Sequence, residues 1–253
     1  MKALILSAGQ GSRLLPLTED RPKCLLPVNS SRMIELQIRA LIDCGIDEIA
    51  VVVGFRAAAV AHFLEELDHT GAAIRTLFNP FFNVADNLAS CWMARGEMDR
   101  DFVLLNGDTL FEPAVLDRLL AAPAAPITMA IDRKAAYDSD DMKVRLNGSR
   151  LVEVGKTLSS ELVDGESIGM MRFLGEGPGR FAGVLDEIMH TPNGISWWYL
   201  KAIGVLADQG LVETRSIEGL TWGEVDFRED LERAETLFPD QPSVLGAAAG
   251  GAG

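Results

Sequence analysis

Three short apolar runs constrain the fold of this chain most: residues 3–7 (ALILS), 49–53 (IAVVV) and 102–105 (FVLL). None shows the polar alternation of a strand with one wet face, so each reads as a strand buried on both faces. Between them the apolar spacing is helical at 33–44, 57–67 and 87–95, with Ser30 and Ser31 as capping candidates for the first helix. Strands alternating with helices imply a three-layer, Rossmann-like α/β domain around a mixed, mainly parallel sheet with right-handed crossovers.

After Asp108 the rhythm changes. Strands are expected at 127–132, 143–146, 151–154 and 167–173, with Asn147-Gly148 as a hairpin turn. Helices follow at 180–189 and 196–208, then a strand at 212–217 and a last helix at 228–238. The domain is expected to fill residues 1–240. The Gly/Ala-rich tail, 241–253, is too poor in large side chains to pack and is expected to be disordered.

A formal charge of -14 argues against coating nucleic acid, which needs a surplus of Lys and Arg on some face. Arg13, Arg21, Lys23 and Arg32 nevertheless form a basic cluster early in the chain, where a small anionic ligand could dock. Cys24, Cys44 and Cys91 fit neither a disulfide framework nor a zinc site and read as reduced core residues. With no basic leader and no apolar run near the ~20 residues of a membrane span, the expected location is the cytoplasm.

The first strand runs into Gly9 and Gly11, a turn that lets backbone N–H groups approach phosphate oxygens. A tight turn with no ligand is the plainer alternative. A dinucleotide fingerprint would need a third glycine where Leu14 stands, which argues against a nicotinamide-dependent dehydrogenase, and the spacing of a Walker A loop is absent too. Instead Arg13 follows Gly11, and Pro22-Lys23 comes soon after. Two cations flanking a glycine loop suit the β- and γ-phosphates of a triphosphate.

The ordered run SAGQGSRLLPLTEDRPKCLLPV resembles the signature of the sugar-phosphate nucleotidyltransferase superfamily. The resemblance implies the nucleotidyltransferase fold. It also implies that Leu6, Ala8, Gly9, Gly11 and Ser12 hold base, ribose and phosphates, with Arg13 and Lys23 as catalytic cations on the triphosphate and the departing pyrophosphate.

Nucleotidyl transfer crowds negative charge around one phosphorus, and Mg²⁺ held by carboxylates commonly neutralises it. LLNGDTLF places Asp108 at the carboxyl end of a strand, and TWGEVDFREDL places Asp226 before the last helix. Taken alone, Asp108 could be a turn residue and Asp226 a helix N-cap. The resemblance makes them the metal-holding pair, with Glu224 a lesser candidate. A phosphate or phosphonate acceptor is already an oxyanion near neutral pH, so no general base is required, and His62, His69 and His190 are read as surface or packing residues.

Two sugar-recognition elements of the superfamily are missing: a glycine-threonine-alanine run, replaced by NPFFNVADNLASCWMA, and a glycine-threonine-proline run near Asp226. The replacements resemble cytidylyltransferases acting on phosphocholine, inositol phosphate, or phosphonates such as 2-aminoethylphosphonate and phosphonoformate. This likeness spans about residues 1–238 and is loose in the middle. It implies that Asn79, Asn87 and Ser90 lie near nucleotide or acceptor; a helix N-cap is the alternative for Asn87.

YDSDDMKVRL, VGKTL and GESIGMMRF resemble the phosphonate branch, making Lys143 and Lys156 candidate hooks for the acceptor's anionic group. Trp92, Trp197, Trp198, Tyr199 and Trp222 could instead cage a quaternary ammonium, which would point to phosphocholine. Adjacent Trp197 and Trp198 cannot share one helix face, so at least one is expected in the core or at an interface.

The expected partners are therefore CTP and a small phosphonate or phosphate acceptor, with Mg²⁺ as cofactor, no nucleic acid, no membrane, and a homodimer as the candidate assembly. Phosphocholine, inositol phosphate and sugar 1-phosphates rank behind phosphonates. A non-catalytic regulatory relative should have lost one of Arg13, Lys23, Asp108 or Asp226, and all four are present.

Overall fold

The structure, a computed structural model, describes residues 1–67 and 71–240. The tail at 241–253 and His69 lie outside the described residues. In chain order the strands are β1 (Lys2–Ser7), β2 (Pro27–Val28), β3 (Ser31–Arg32), β4 (Glu48–Val53), β5 (Ala73–Phe78), β6 (Phe102–Asn106) and β7 (Thr109–Phe111). They continue as β8 (Ile127–Asp132), β9 (Lys143–Asn147), β10 (Arg150–Gly155), β11 (Gly165–Phe173), β12 (Val212–Ser216) and β13 (Trp222–Glu224). The helices are α1 (Met33–Asp43), α2 (Ala57–Glu66), α3 (Asn87–Met93), α4 (Pro113–Leu120), α5 (Gly177–Met189), α6 (Leu200–Asp208) and α7 (Arg228–Leu237).

Nine strands form one sheet in the order β5-β4-β1-β6-β11-β8-β12-β10-β9. The segment β5-β4-β1-β6 is parallel throughout. Beyond it, β11 is antiparallel to β6 and to β8, β12 runs parallel to β8, and β10 and β9 are antiparallel neighbours. β9 also pairs with the start of β11, so these five strands return on themselves.

The apolar runs are buried on both faces, as expected of strands between helical layers. Leu4 of β1, with Leu104 and Met129, packs against Leu88 and Cys91 of α3, Phe181 of α5 and Ile203 of α6. Ala3 and Ile5 face the other way, with Val51 and Val103, against Ile38 of α1, Val60 of α2 and Leu116 of α4. The site described below lies where β1 and β6 end, at their carboxyl edge.

The structure departs from the sequence reading in several elements. β5 and α4 are present where no element is expected; β5 mixes exposed and half-buried residues at a sheet edge, and Arg75 and Thr76 interrupt its apolar residues. Ser30 and Ser31 do not cap α1: Ser31 pairs within the β2–β3 hairpin, Ser30 bonds Asp240, and the Glu35 carboxylate accepts the Arg32 N–H instead. α6 begins at Leu200, not 196, leaving Trp197 and Trp198 in an extended strap, each 41% exposed, so neither is a core residue. Cys24 and Cys91 are buried and Cys44 half-buried, all three free. His62 and His190 are exposed. Among the described residues no helix is long and apolar enough to cross a membrane.

Candidate active site

The loop leaving β1 is shaped around one contact. Gly11 has φ +76, in the left-handed region, and a Cβ there would lie 2.9 Å from the Lys23 Cβ, so the lysine stem packs directly on the glycine backbone. Single 3₁₀ turns at Ser12–Leu14 and Lys23–Leu25 then orient Arg13 and Lys23. Thr18, fully buried, donates from its hydroxyl to the Gly11 carbonyl at 2.8 Å, closing the loop from within.

The carboxylates come from elsewhere and are brought together by a two-stranded ribbon. β7 and β13 pair antiparallel with Thr109 opposite Glu224, and the Val225 N–H donates to the Asp108 carbonyl at 3.1 Å. That register sets Asp108 and Asp226 side by side. Gln37 of α1, 1% exposed, donates to the carbonyls of Asn106 and Thr109, both at 2.8 Å, and so holds the turn that carries Asp108. Gly107 makes that turn possible, since a Cβ there would meet the Leu6 carbonyl oxygen at 2.5 Å.

Lys23 Nζ lies 3.0 Å from Asp108 Oδ2 and 2.6 Å from Asp226 Oδ1, and Arg13 Nη1 lies 3.2 Å from Asp226 Oδ2. Asp108 does stand in the turn between β6 and β7, but Asp226 does not play its plainer role. Asp230, not Asp226, accepts the backbone N–H groups that open α7, which leaves the Asp226 carboxylate free to face the loop. Burial pulls the Lys23 pKa down, but Asp108 and Asp226 outweigh it and the ammonium is held above its ordinary range. Glu224 keeps solvent contact across the open cavity yet lies deep among protein atoms; this desolvation, with Asp108 and Asp226 close by, lifts its pKa to about 8.

Two cavities meet at Arg13, Asn87 and Asp226. One, of about 460 Å³, is floored by Leu6, Ala8, Gly9, Gly11 and Ser12, with Asn83 and Ser90 on its far side. The other, of about 250 Å³, is lined by Asn106, Asp108, Asp140, Lys156, Glu166 and Tyr199. Sequence reasoning thus named residues of both, and the structure brings them together around the acid pair.

Two residues, Lys143 and Asn79, sit differently from their expected places, while Asn87 lines both cavities. Lys143 is buried and donates to the Lys156 carbonyl at 2.9 Å; it lines neither cavity and props the loop that carries Lys156, instead of reaching an acceptor itself. Asn79 is 1% exposed and spends its amide on Ser90 Oγ and on the Phe81 N–H, so it braces the segment that bears Asn87. Asn87 opens α3 but does not cap it; its Oδ1 accepts the Tyr199 N–H at 2.9 Å, tying the two cavity walls together. Lys156 does face the second cavity, 3.0 Å from Asp140, which in turn lies 3.4 Å from Arg13.

Asp108 and Asp226 suit a hard divalent cation. Asp108 Oδ1 is buried without a hydrogen-bond partner among the described residues, and the two carboxylates already converge on one positive charge, that of Lys23. No group of three or more His, Cys, Asp or Glu side chains among the described residues could hold a metal by itself. An ion such as Mg²⁺ is commonly held by one or two carboxylates and completed by substrate phosphates.

The glycine loop at the end of β1, its two cations and the facing acid pair define a nucleotide-handling α/β enzyme. A family model described as nucleotidyl transferase matches residues 2–135, and the chain belongs to that family. It is similar to a CMP-5'-(3-aminopropyl)phosphonate synthase of Streptomyces rubellomurinus, 30% identical over 99% of this chain and 41% of that protein. It is also similar to a CTP:phosphoglutamine cytidylyltransferase of Campylobacter jejuni, 25% identical over 92% of this chain and 98% of that one. The chain thus spans less than half of the first relative and nearly all of the second. The solved inositol-1-phosphate CTP transferase of T. maritima shares the fold, with a TM-score of 0.78, 20% identity, and coverage of 93% of this chain and 94% of that one.

Proposed function

We propose that this protein transfers CMP from CTP to an oxygen of a small phosphonate or phosphate, releasing pyrophosphate. The observation that carries this reading is the pairing of Asp108, in the smaller cavity walled by Lys156 and Arg13, with Asp226, which lines both that cavity and the glycine-floored one. The names of the two relatives, which specify CMP or CTP and phosphonate or phosphate acceptors, supply the nucleotide and acceptor class.

In this mechanism an acceptor oxygen, already anionic near neutral pH, attacks the α-phosphorus of CTP in line. The bond from that phosphorus to the bridging oxygen breaks, and pyrophosphate leaves with the electron pair. Backbone N–H groups around Gly9 and Gly11 hold the phosphates, and Arg13 and Lys23 turn from Asp226 and Asp108 to the triphosphate, receiving the charge that grows on the leaving group. Lys156 holds the acceptor's anionic end against repulsion by the triphosphate. Asp108 and Asp226 would hold Mg²⁺, which when bound supplies charge neutralisation at the α-phosphate.

The test is a matrix of each nucleoside triphosphate against phosphonates, phosphate monoesters and sugar 1-phosphates with Mg²⁺, following pyrophosphate. CTP with a small phosphonate or phosphate monoester is expected to give turnover. Turnover confined to sugar 1-phosphates would overturn the reading.

A further inference from the structure

Resting on that reading, the loop between β8 and β9 links the two cavities. Acids and cations alternate across them in one chain of ion pairs: Asp108, Lys23, Asp226, Arg13, Asp140 and Lys156. Asp140 is the member that joins one half to the other. Its Oδ1 lies 3.0 Å from Lys156 Nζ and its Oδ2 lies 3.4 Å from Arg13 Nη1. These are the cations assigned above to acceptor and triphosphate, so a single carboxylate holds a place that the anions of both ligands need. Lys156 first, and Arg13 after it, keep the Asp140 pKa below the ordinary carboxylate range, so the group is charged near neutral pH.

The turn around Asp140 is built to present that side chain. Asp138 Oδ1 accepts the N–H groups of Asp140 and Asp141 at 2.8 and 3.2 Å, and the Asp141 carboxylate accepts the Asp138 N–H at 2.8 Å. Asp141 also pairs with Lys134 at 2.8 Å. Its two acidic neighbours are thus spent inside the loop, and of the three Asp140 alone pairs with Arg13 and Lys156. The Asp140 side chain is 49% exposed, so it can turn to solvent without moving the loop.

Lys156 does not need Asp140 to face the cavity. Its ammonium lies 4.8 Å from the centre of the Trp198 ring, and the Lys143 ammonium donates to its carbonyl at 2.9 Å. Removing the Asp140 charge therefore takes away a competing anion and leaves the lysine in place.

When a triphosphate takes Arg13, Asp140 loses one of its two partners and gains a neighbour of its own sign. Its hold on Lys156 weakens, and Lys156 becomes available to the acceptor. Linkage makes the effect reciprocal, since an acceptor on Lys156 loosens Asp140 from Arg13. Partial exposure of these pairs keeps the effect modest, about fivefold in affinity.

We propose that Asp140 is a positioning residue that couples the two subsites: it holds Arg13 and Lys156 together and gives both up to the two ligands, so that each ligand strengthens the binding of the other.

The test is isothermal titration calorimetry with α,β-methylene-CTP, Mg²⁺ and two acceptor probes, 2-aminoethylphosphonate and phosphocholine. In the wild type the nucleotide analogue should lower the Kd of the probe that binds by about fivefold. Asp140→Asn should bind that probe alone about fivefold more tightly than the wild type, and the analogue should then give no further gain. Asp140→Glu, which keeps the carboxylate, should retain the coupling. A residue that merely supported the loop would weaken binding when replaced, not strengthen it. A wild-type Kd that ignores the analogue, or unchanged coupling in Asp140→Asn, would overturn the proposal and leave CMP transfer standing. No binding of the analogue, or of either probe in its presence, would remove the proposed reaction and the coupling together.

Discussion

The two halves of the sheet meet one reaction and are built differently. Around β5-β4-β1-β6 the strands are parallel and the site is made of backbone: a left-handed glycine, two short turns, and a lysine stem lying on a glycine. Around β11-β8-β12-β10-β9 the pairing is mostly antiparallel, and the cavity wall is made of charged side chains on one strand and two loops: Glu166, then Asp140, Asp141 and Lys156. Backbone N–H groups recognise phosphate whatever is attached to it, whereas side chains can be exchanged singly without disturbing the sheet. The first construction suits a ligand that stays the same, the second one that varies between relatives.

The largest effect is expected where the halves join. Asp108 stands at the end of β6 and Asp226 follows β13, and the ribbon between them makes one unit of the two. Asp108→Asn and Asp226→Asn should each lower kcat by about 1,000-fold in a pyrophosphate assay, the scale seen when charge stabilisation at a transition state is removed. A loss in one variant alone would break the pair.

Next comes a difference in pH response. Burial raises the Glu166 pKa from 4.5 to about 7, so the folded protein holds that proton more tightly than the unfolded chain. The associated stability is full below the unfolded value and is lost as pH rises through about 7. Glu166→Gln removes this dependence. Urea unfolding at about pH 5 and about pH 8 should show the variant gaining on the wild type by on the order of 2 kcal/mol. A constant difference would mean that Glu166 is ionised throughout.

The smallest expected effect sharpens the contrast. Gly11→Ala strains a left-handed backbone and pushes on Lys23, so the KM for CTP should rise about tenfold while the acceptor KM stays within about twofold. Equal changes in both constants would mean that the loop serves the two ligands alike.

The parallel half was legible in the sequence because burial on both faces leaves unbroken apolar runs, and because Gly9, Gly11, Arg13 and Lys23 lie close together in the chain. β5 was not, since an edge strand leaves its residues exposed or half-buried, and Arg75 and Thr76 break its apolar run without setting up an alternation. β7 and β13, three residues each, are too short to leave a periodic signal. Asp108 and Asp226 could be named, but what brings them together is a pairing between segments over a hundred residues apart. Gln37 reads as one polar residue in an amphipathic helix; only its two carbonyl partners reveal that it holds the Asp108 turn. Glu166 is hidden in a strand otherwise apolar enough to be core, and Lys143, which has the composition of a hook, spends its ammonium on a backbone carbonyl.

The most direct test of the central claim is a ³¹P NMR time course with CTP, Mg²⁺ and a small aminoalkylphosphonate. The account predicts that pyrophosphate and a new phosphorus–oxygen–phosphorus diester accumulate in equal amounts, only when nucleotide and acceptor are both present. Pyrophosphate formed without acceptor, or no coupled product while UTP or dTTP reacts with a sugar 1-phosphate, would contradict it.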